Sequence, residues 1–367
     1  MTRIAYICNG LYNSAGMERV LTIRANHLCD DFDITFITYN QGDRVDYFAL
    51  DPRIHRVDIP ARNDEEYRFL LSEWLMREKY DITTSTGGAE FFFLHSIKDG
   101  SKKIFEFHFS FDISKVWLSG MKNKYKRWLY IKGQTLKRVY HARKYDKVVA
   151  LCKTDQRKWR RYCKNVTYIY NPLTIQTNIV SNCSNKKVIA VGRLHKQKGF
   201  DYLIDAWKLV CQDHPDWALE IYGEGGLRNS LQAQIDKNGL REVVFLKGKT
   251  DEITSKYIDS SIFVLSSRDE AFGLVITEAE ACGLPIITFD CPSAPAELVE
   301  DGINGYVVKM ADVKTMANRI IALIENEDQR KCMGKESIRV SHKYELESIL
   351  SQWKDLYNHF FFSLHLI

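Results

Sequence analysis

The feature that most constrains this 367-residue chain is a strand–turn–helix rhythm that runs through it twice. The chain opens with "RIAYICNG" (residues 3–10), an apolar run closed by Asn-Gly, which reads as a buried strand and a turn. A short loop then leads into Val20, Leu21, Ala25 and Leu28 at helical spacing, and "DITFITYN" (33–40) is the next strand. Strand, loop, helix, strand predicts a parallel sheet flanked by helices. "KIFEFHFSF" (103–111) and "KVVALCK" (147–153) read as later strands of that sheet.

The rhythm lapses near Thr167, where Asn171-Pro172 and a polar stretch read as a linker. It restarts at "VIAVGRL" (188–194) and continues through "LEIYGEG" (219–225), "VVFLKG" (243–248), "SIFVLSS" (261–267) and "PIITFD" (285–290). The length also exceeds what one core holds. The expected division is an N-terminal domain over 1–168, a linker over 169–186 and a second doubly wound domain over 187–344. A closing helix over 345–367 carries a stripe of Leu346, Ile349, Leu350, Trp353 and Tyr357 that can pack back on the N-terminal domain. In open α/β sheets ligands sit outside the carboxyl ends of the strands, so two such sheets facing across a cleft can bring two substrates together.

Composition narrows the class. Hydrophobic content of 45% and charged content of 27% fit a soluble globular protein. A net charge of +5 gives no reason to expect a nucleic-acid partner. Nine scattered cysteines without a Cys-x-x-Cys pair argue against a zinc site or a disulfide framework and fit a reducing cytosol. The start lacks a signal-peptide pattern, and no run approaches the roughly 20 apolar residues of a membrane span. The apolar tail "HFFFSLHLI" (359–367) reads as a buried helix end.

One stretch carries chemistry. In "DEAFGLVITEAEACGLP" (269–285), Glu270 lies in the loop after a strand, and Gly273 allows a tight turn. Glu278 lies about one turn inside a helix that Gly283 and Pro285 end. The two carboxylates bracket a helix N-terminus, a seat for phosphate. Carboxylates would repel a phosphate and suit sugar hydroxyls on either side of it. Arg193 and Lys198 follow the first strand of the second domain, where a bidentate donor and a point charge suit a diphosphate.

Glu270, seven residues, Glu278 and then "AEACGLPII" resembles the E-x7-E region of retaining glycosyltransferases of family four, which have the GT-B fold of two Rossmann-like domains. "SAGMERV" (14–20) resembles that family's first loop, and "YNPL" (170–173) its interdomain crossover. "VGRLHKQKGFDYLIDAW" (191–207) resembles its donor-phosphate region, and "GEGGLRNSL" (223–231) and "LVEDGINGYVV" (298–308) follow in the expected order. The resemblance covers nearly the whole chain. It implies transfer of a hexose or N-acetylhexosamine from a nucleotide sugar, UDP above all, with retention of configuration and without metal or cofactor. The implied acceptor is a glycan or a polyprenyl-diphosphate-linked saccharide in surface polysaccharide synthesis.

The resemblance also implies roles. Arg193 and Lys198 neutralise the leaving diphosphate, Glu270 holds the donor sugar and Glu278 the ribose. Gly273 and Leu274 offer backbone N–H groups, Gly16 brings backbone near the donor or acceptor, and His108 faces the transferred sugar. Ala15 and Ala271 stand where relatives have glycine, which puts the shape of the first loop in question. Relatives often have Glu directly before the His. Here Phe107 intervenes, and alternation along a strand turns Glu106 to the other face, so Glu106 is left out of the site. The Asp31–Asp33 stretch "DFD" lies away from the expected cleft, so no metal ligands are assigned. Two alternatives stay open: a non-catalytic nucleotide-sugar-binding subunit, and another GT-B enzyme such as a nucleotide-sugar epimerase.

The segment Lys115–Lys147 is dense in Lys and Arg, with Asp146 its one acid. Trp117, Met121, Tyr125, Trp128 and Leu129 are expected to form one helical stripe among Lys122, Lys124, Lys126 and Arg127. That composition suits an anionic membrane surface, which would place the protein in the cytoplasm, peripheral at the inner face of the membrane. The other reading is a helix that packs its stripe on the core.

Overall fold

The computed structural model describes residues 1–118 and 120–365. The chain divides into two compact units: Met1–Thr174 together with the C-terminal helix, and Ile175–Glu345. The first holds a parallel sheet of β1 (Thr2–Cys8), β2 (Phe32–Tyr39), β3 (His55–Ile59), β4 (Ile82–Ser85), β5 (Lys102–Phe107), β6 (Lys147–Ala150) and β7 (Val166–Tyr168), in the order β3-β2-β1-β4-β5-β6-β7. The second holds β8 (Lys187–Val191), β9 (Ala218–Tyr222), β10 (Val244–Gly248), β11 (Ile262–Leu265), β12 (Ile286–Asp290) and β13 (Gly305–Lys309), also parallel, in the order β10-β9-β8-β11-β12-β13. Each order reverses beside its first strand, between β1 and β4 and between β8 and β11. Such reversals open the crevice in which α/β sheets bind ligands.

The central strands are buried because helices cover both faces of each sheet, whereas the edge strands β3 and β10 keep exposed positions. Along β1, Ile4, Tyr6 and Cys8 enter one core while Ala5 and Ile7 enter the other. The C-terminal helix (Leu346–His365) joins the first of these: Ile349, Leu350, Trp353 and Tyr357 are all buried there. The Tyr6 and Tyr357 hydroxyls lie 2.7 Å apart, and Lys354 pairs with Asp31 at 2.6 Å. Residues 366 and 367 of the apolar tail lie outside the described residues.

The basic segment departs from expectation. It does not form one stripe. A short helix, Ile113–Trp117, stops, and a second, Lys124–Ala142, starts behind Asn123, whose side chain accepts from the Lys126 N–H at 3.0 Å. That cap restarts the helical phase, so Trp117 and Met121 are not in register with Tyr125 and Trp128. Trp117 instead packs edge-on to Phe109. The longer helix buries Arg138, Val139 and Ala142, near its C-terminal end. Tyr125, Trp128, Leu129 and Tyr130 are exposed, as are Lys122, Lys124 and Lys126. Among the described residues no helix is long and apolar enough to cross a membrane.

Candidate active site

In the second unit the loops after β8, β9, β11 and β12 converge. The Gly192 N–H donates to the Tyr222 carbonyl and the Leu194 N–H to the Glu224 carbonyl, both at 2.9 Å, which ties the β8 loop to the β9 loop. A Cβ on Gly223 would lie 2.0 Å from the Gly192 oxygen, so the approach needs glycine. On the other side the Arg268 N–H donates to the Gln197 carbonyl at 2.7 Å, and the Gln197 amide donates to the Asp269 carbonyl at 3.0 Å. Arg268 also forks onto Asp201 at 2.8 and 2.5 Å and stacks 4.0 Å from the centre of the Tyr202 ring. Sequence reading passed over Arg268. Its task is to pin the β11 loop to the helix Phe200–Asp213 that follows the β8 loop.

These ties bring the named residues together. Lys198 Nζ donates to Glu270 Oε1 at 2.5 Å, and Ser267 Oγ donates to the same oxygen at 2.7 Å. Glu270 bridges to Ser293 in the loop after β12. Arg193 stands exposed on the Lys198 loop. Gly273, at φ +93°, precedes the helix Leu274–Ala281, and no side chain caps that helix. Its first-turn N–H groups therefore present the partial positive charge that favours an anion. Glu278 is buried one turn in, where the Tyr257 hydroxyl donates to its carboxylate at 3.1 Å. The eight-residue interval thus sets one carboxylate beside a cation before the helix and the other against a tyrosine within it.

In the first unit the loop after β1 delivers Gly16 to the start of the helix Gly16–Leu28. Ala15 adopts φ −86° and ψ 164°, extended backbone open to any residue, so alanine is accommodated there. His108 follows β5 directly, with its side chain only 4% exposed. Here the structure corrects the reading of Glu106. Residues two apart on a strand share a face. Glu106 Oε1 accordingly lies 3.1 Å from His108 Nε2, off the line of an ideal hydrogen bond. The same carboxylate receives both terminal nitrogens of Arg24, at 2.9 and 2.6 Å. Burial alone would push the Glu106 carboxyl up, but Arg24 and then His108 outweigh it and hold it down to about 2. The legible signal was Arg24 itself, spaced with Val20, Leu21 and Leu28 on the buried face of its helix, where arginine is rare unless paired.

Asp31 and Asp33 of the Asp-Phe-Asp stretch pair with Lys354 and Arg3. Among the described residues no three His, Cys, Asp or Glu cluster as metal ligands. Among the described residues none of the nine cysteines is in a disulfide.

The family model described as "Glycosyl transferases group 1" matches residues 175–340, nearly the whole second unit. An uncharacterised glycosyltransferase of Haemophilus influenzae is 28% identical over 97% of this chain and 100% of its own. The amylovoran biosynthesis glycosyltransferase AmsD of Erwinia amylovora is 27% identical over 98% of this chain and 100% of its own. Among solved structures, an S. aureus TarM variant in complex with fondaparinux, alpha-GlcNAc-glycerol and UDP superimposes with a TM-score of 0.81. That match covers 98% of this chain and 100% of the other at 17% identity, a likeness that shows the shared GT-B fold.

Proposed function

We propose, from the match of residues 175–340 to the model of group 1 glycosyl transferases, that the chain transfers a hexose or N-acetylhexosamine from a UDP-sugar to a saccharide acceptor, with retention, in surface polysaccharide synthesis. One observation carries the reading: Lys198, Glu270 and the uncapped helix start at Gly273 meet at the strand-order reversal between β8 and β11. The name of the E. amylovora relative and the UDP in the TarM structure support it from outside the chain.

In this reading Arg193 and Lys198 face the diphosphate, and the N–H groups of Gly273 and Leu274 take its oxygens. Without donor, Lys198 and Glu270 neutralise each other. With donor, Lys198 turns to the phosphate and Glu270 is released to accept from sugar hydroxyls. Glu278, held by Tyr257, accepts from the ribose. His108 faces the transferred sugar, and Gly16 brings backbone near the donor phosphates. The bond from the anomeric carbon to the diphosphate oxygen breaks as the acceptor oxygen bonds to the same face, and the acceptor proton passes to the departing phosphate. The cations stabilise charge that develops on the leaving group.

The exposed Tyr125, Trp128, Leu129 and Tyr130 among lysines support a second element: the protein binds an anionic membrane surface, and its acceptor is lipid-linked. Pelleting with anionic vesicles at low salt, and much less at high salt, is the expected result. Equal recovery in the supernatant at both salts would remove this element and leave the transferase reading intact.

The test of the donor site is thermal unfolding with UDP, GDP, ADP and NAD, on wild type and on Arg193→Ala/Lys198→Ala. A ligand at 100 times its Kd stabilises by about 2.7 kcal/mol. Stabilisation by UDP alone, lost in the double variant, is expected. A response to NAD or to none would overturn the assignment. Glu270→Ala should keep UDP binding and lose transfer. A variant that still transfers would place the chemistry elsewhere, and a wild type that binds UDP but transfers nothing would favour a binding subunit.

A further inference from the structure

The buried charges beside His108 are out of proportion to any packing need. Arg24 is 1% exposed and Glu106 fully buried, and burying such a pair costs more than an apolar pair of the same shape. The guanidinium has been given further company. Its carbon lies 3.9 Å from the Trp353 ring centre and 5.0 Å from that of Tyr6. Tyr6 and Tyr357 close the layer through their hydroxyls. Trp353 and Tyr357 come from the last helix of the chain, about 250 positions beyond Glu106. The arrangement is a rigid stack: C-terminal helix, Arg24, Glu106, His108.

The chemistry at the end of that stack is specific. Arg24 uses both its terminal nitrogens on the carboxylate, which fixes the plane of the carboxyl group. Oε1 then lies 3.1 Å from the buried His108 Nε2, off the line of an ideal hydrogen bond but close enough to bias which nitrogen carries the proton. A nitrogen lone pair pointed at a buried carboxylate is repelled, whereas an N–H is attracted. The tautomer of a neutral imidazole follows from the partner of one nitrogen.

We propose that Arg24 and Glu106 are positioning residues for His108: they hold its ring as the Nε2–H tautomer, leave Nδ1 as the acceptor, and are themselves held by Trp353 and Tyr357 of the C-terminal helix. The functional part of this proposal rests on the reading of His108 as a site residue. The structural part does not, and it can be read without any substrate. The helix Leu346–His365 therefore bears, through Arg24 and Glu106, on the orientation of a side chain that follows β5.

The test uses the full-length protein and three variants. In wild type, long-range proton–nitrogen NMR of the labelled imidazoles, with His108→Ala to identify the signal, should show His108 as a single Nε2–H tautomer. Arg24→Met/Glu106→Leu replaces the ion pair by apolar groups, a change that buried pairs often tolerate without loss of stability. It should keep UDP-induced stabilisation. It should also give His108 a mixed tautomer population and lower kcat on the order of 10²-fold with KM nearly unchanged, the effect of a group misplaced by about 1 Å. Glu106→Gln, which keeps the shape, should raise the Nδ1–H population in the same direction and decides the matter if the double variant does not fold. A wild-type Nδ1–H ring, or unchanged tautomer populations in the variants that fold, would overturn the proposal. A shifted tautomer with unchanged kcat would keep the clamp and overturn the part that rests on His108 in transfer.

Discussion

Gly199→Ala isolates the contact that holds the donor-side loops together. Gly199 sits at φ +64°, where an L-residue pays about 1–2 kcal/mol. Its added Cβ would lie 2.0 Å from the Ser266 backbone oxygen, well inside any real contact. The β8 and β11 loops would have to part by about 1 Å, a shift large enough to break hydrogen bonds of ordinary length. The hydrogen bonds across that seam include three that the parting would break: Arg268 N–H to Gln197 O, the Gln197 amide to Asp269 O, and Ser266 Oγ to Lys198 O. At about 1 kcal/mol each, with the conformational cost, the loss is about 4–5 kcal/mol. For a unit of this size that lowers Tm on the order of 10 °C. Gly302→Ala is the control. Gly302 is also left-handed, at φ +78°, but a Cβ there meets nothing within 4 Å, so only the conformational cost of about 1–2 kcal/mol applies. Thermal unfolding by circular dichroism of both variants compares the two costs directly. Equal shifts would refute the close-approach argument. Because Lys198 is the adjacent residue, Gly199→Ala should also abolish stabilisation by UDP while Gly302→Ala keeps it.

Two further outcomes follow from buried charge. Glu280 is fully buried, accepts from Asn304 Nδ2 at 2.9 Å, and has no partner at Oε2. Burial pushes its carboxyl well above the usual range, so the native state retains a proton that the unfolded chain releases above about pH 4.5, and stability falls as pH rises beyond that point. Glu280→Gln mimics the protonated form. Urea unfolding should find it more stable than wild type at pH 8, with the gap closing toward pH 4, and a variant less stable at every pH would contradict the reading. Arg24→Ala strands the Glu106 carboxylate and should cost about 3–5 kcal/mol at neutral pH by urea unfolding. Because Glu106 is held down to about 2, the stability of that pair is present above its ordinary range near 4.5 and is lost as pH falls toward 2. The variant should accordingly lose the steep acid limb between those values. A limb unchanged by the substitution would show that other carboxylates carry it.

Much of this was legible before the chain was seen folded. The apolar runs and their turns pointed to two parallel sheets, because strands buried on both faces are mostly apolar, but β4, with Thr83, Thr84 and Ser85 buried, shows no such run and was not legible. The spacing from Glu270 to Glu278 placed one acid before a helix and one inside it, and the order of the short motifs gave the resemblance to glycosyltransferases. Other features were closed to sequence reading. Whether Tyr125 and Trp128 pack or stand exposed depends on where a cap resets the helix, and Asn123 decides that locally in a way that the stripe of aromatics conceals.

What the sequence determined by itself is local: period, turn, cap and the residue types at strand ends. What only the tertiary structure decided is which distant groups share one buried space. Arg24, Glu106, Trp353 and Tyr357 are four unremarkable letters in three regions of the chain. They become one unit because the C-terminal helix returns to the first sheet and excludes water there, and without water a charge must find its partner among whatever the fold has brought beside it.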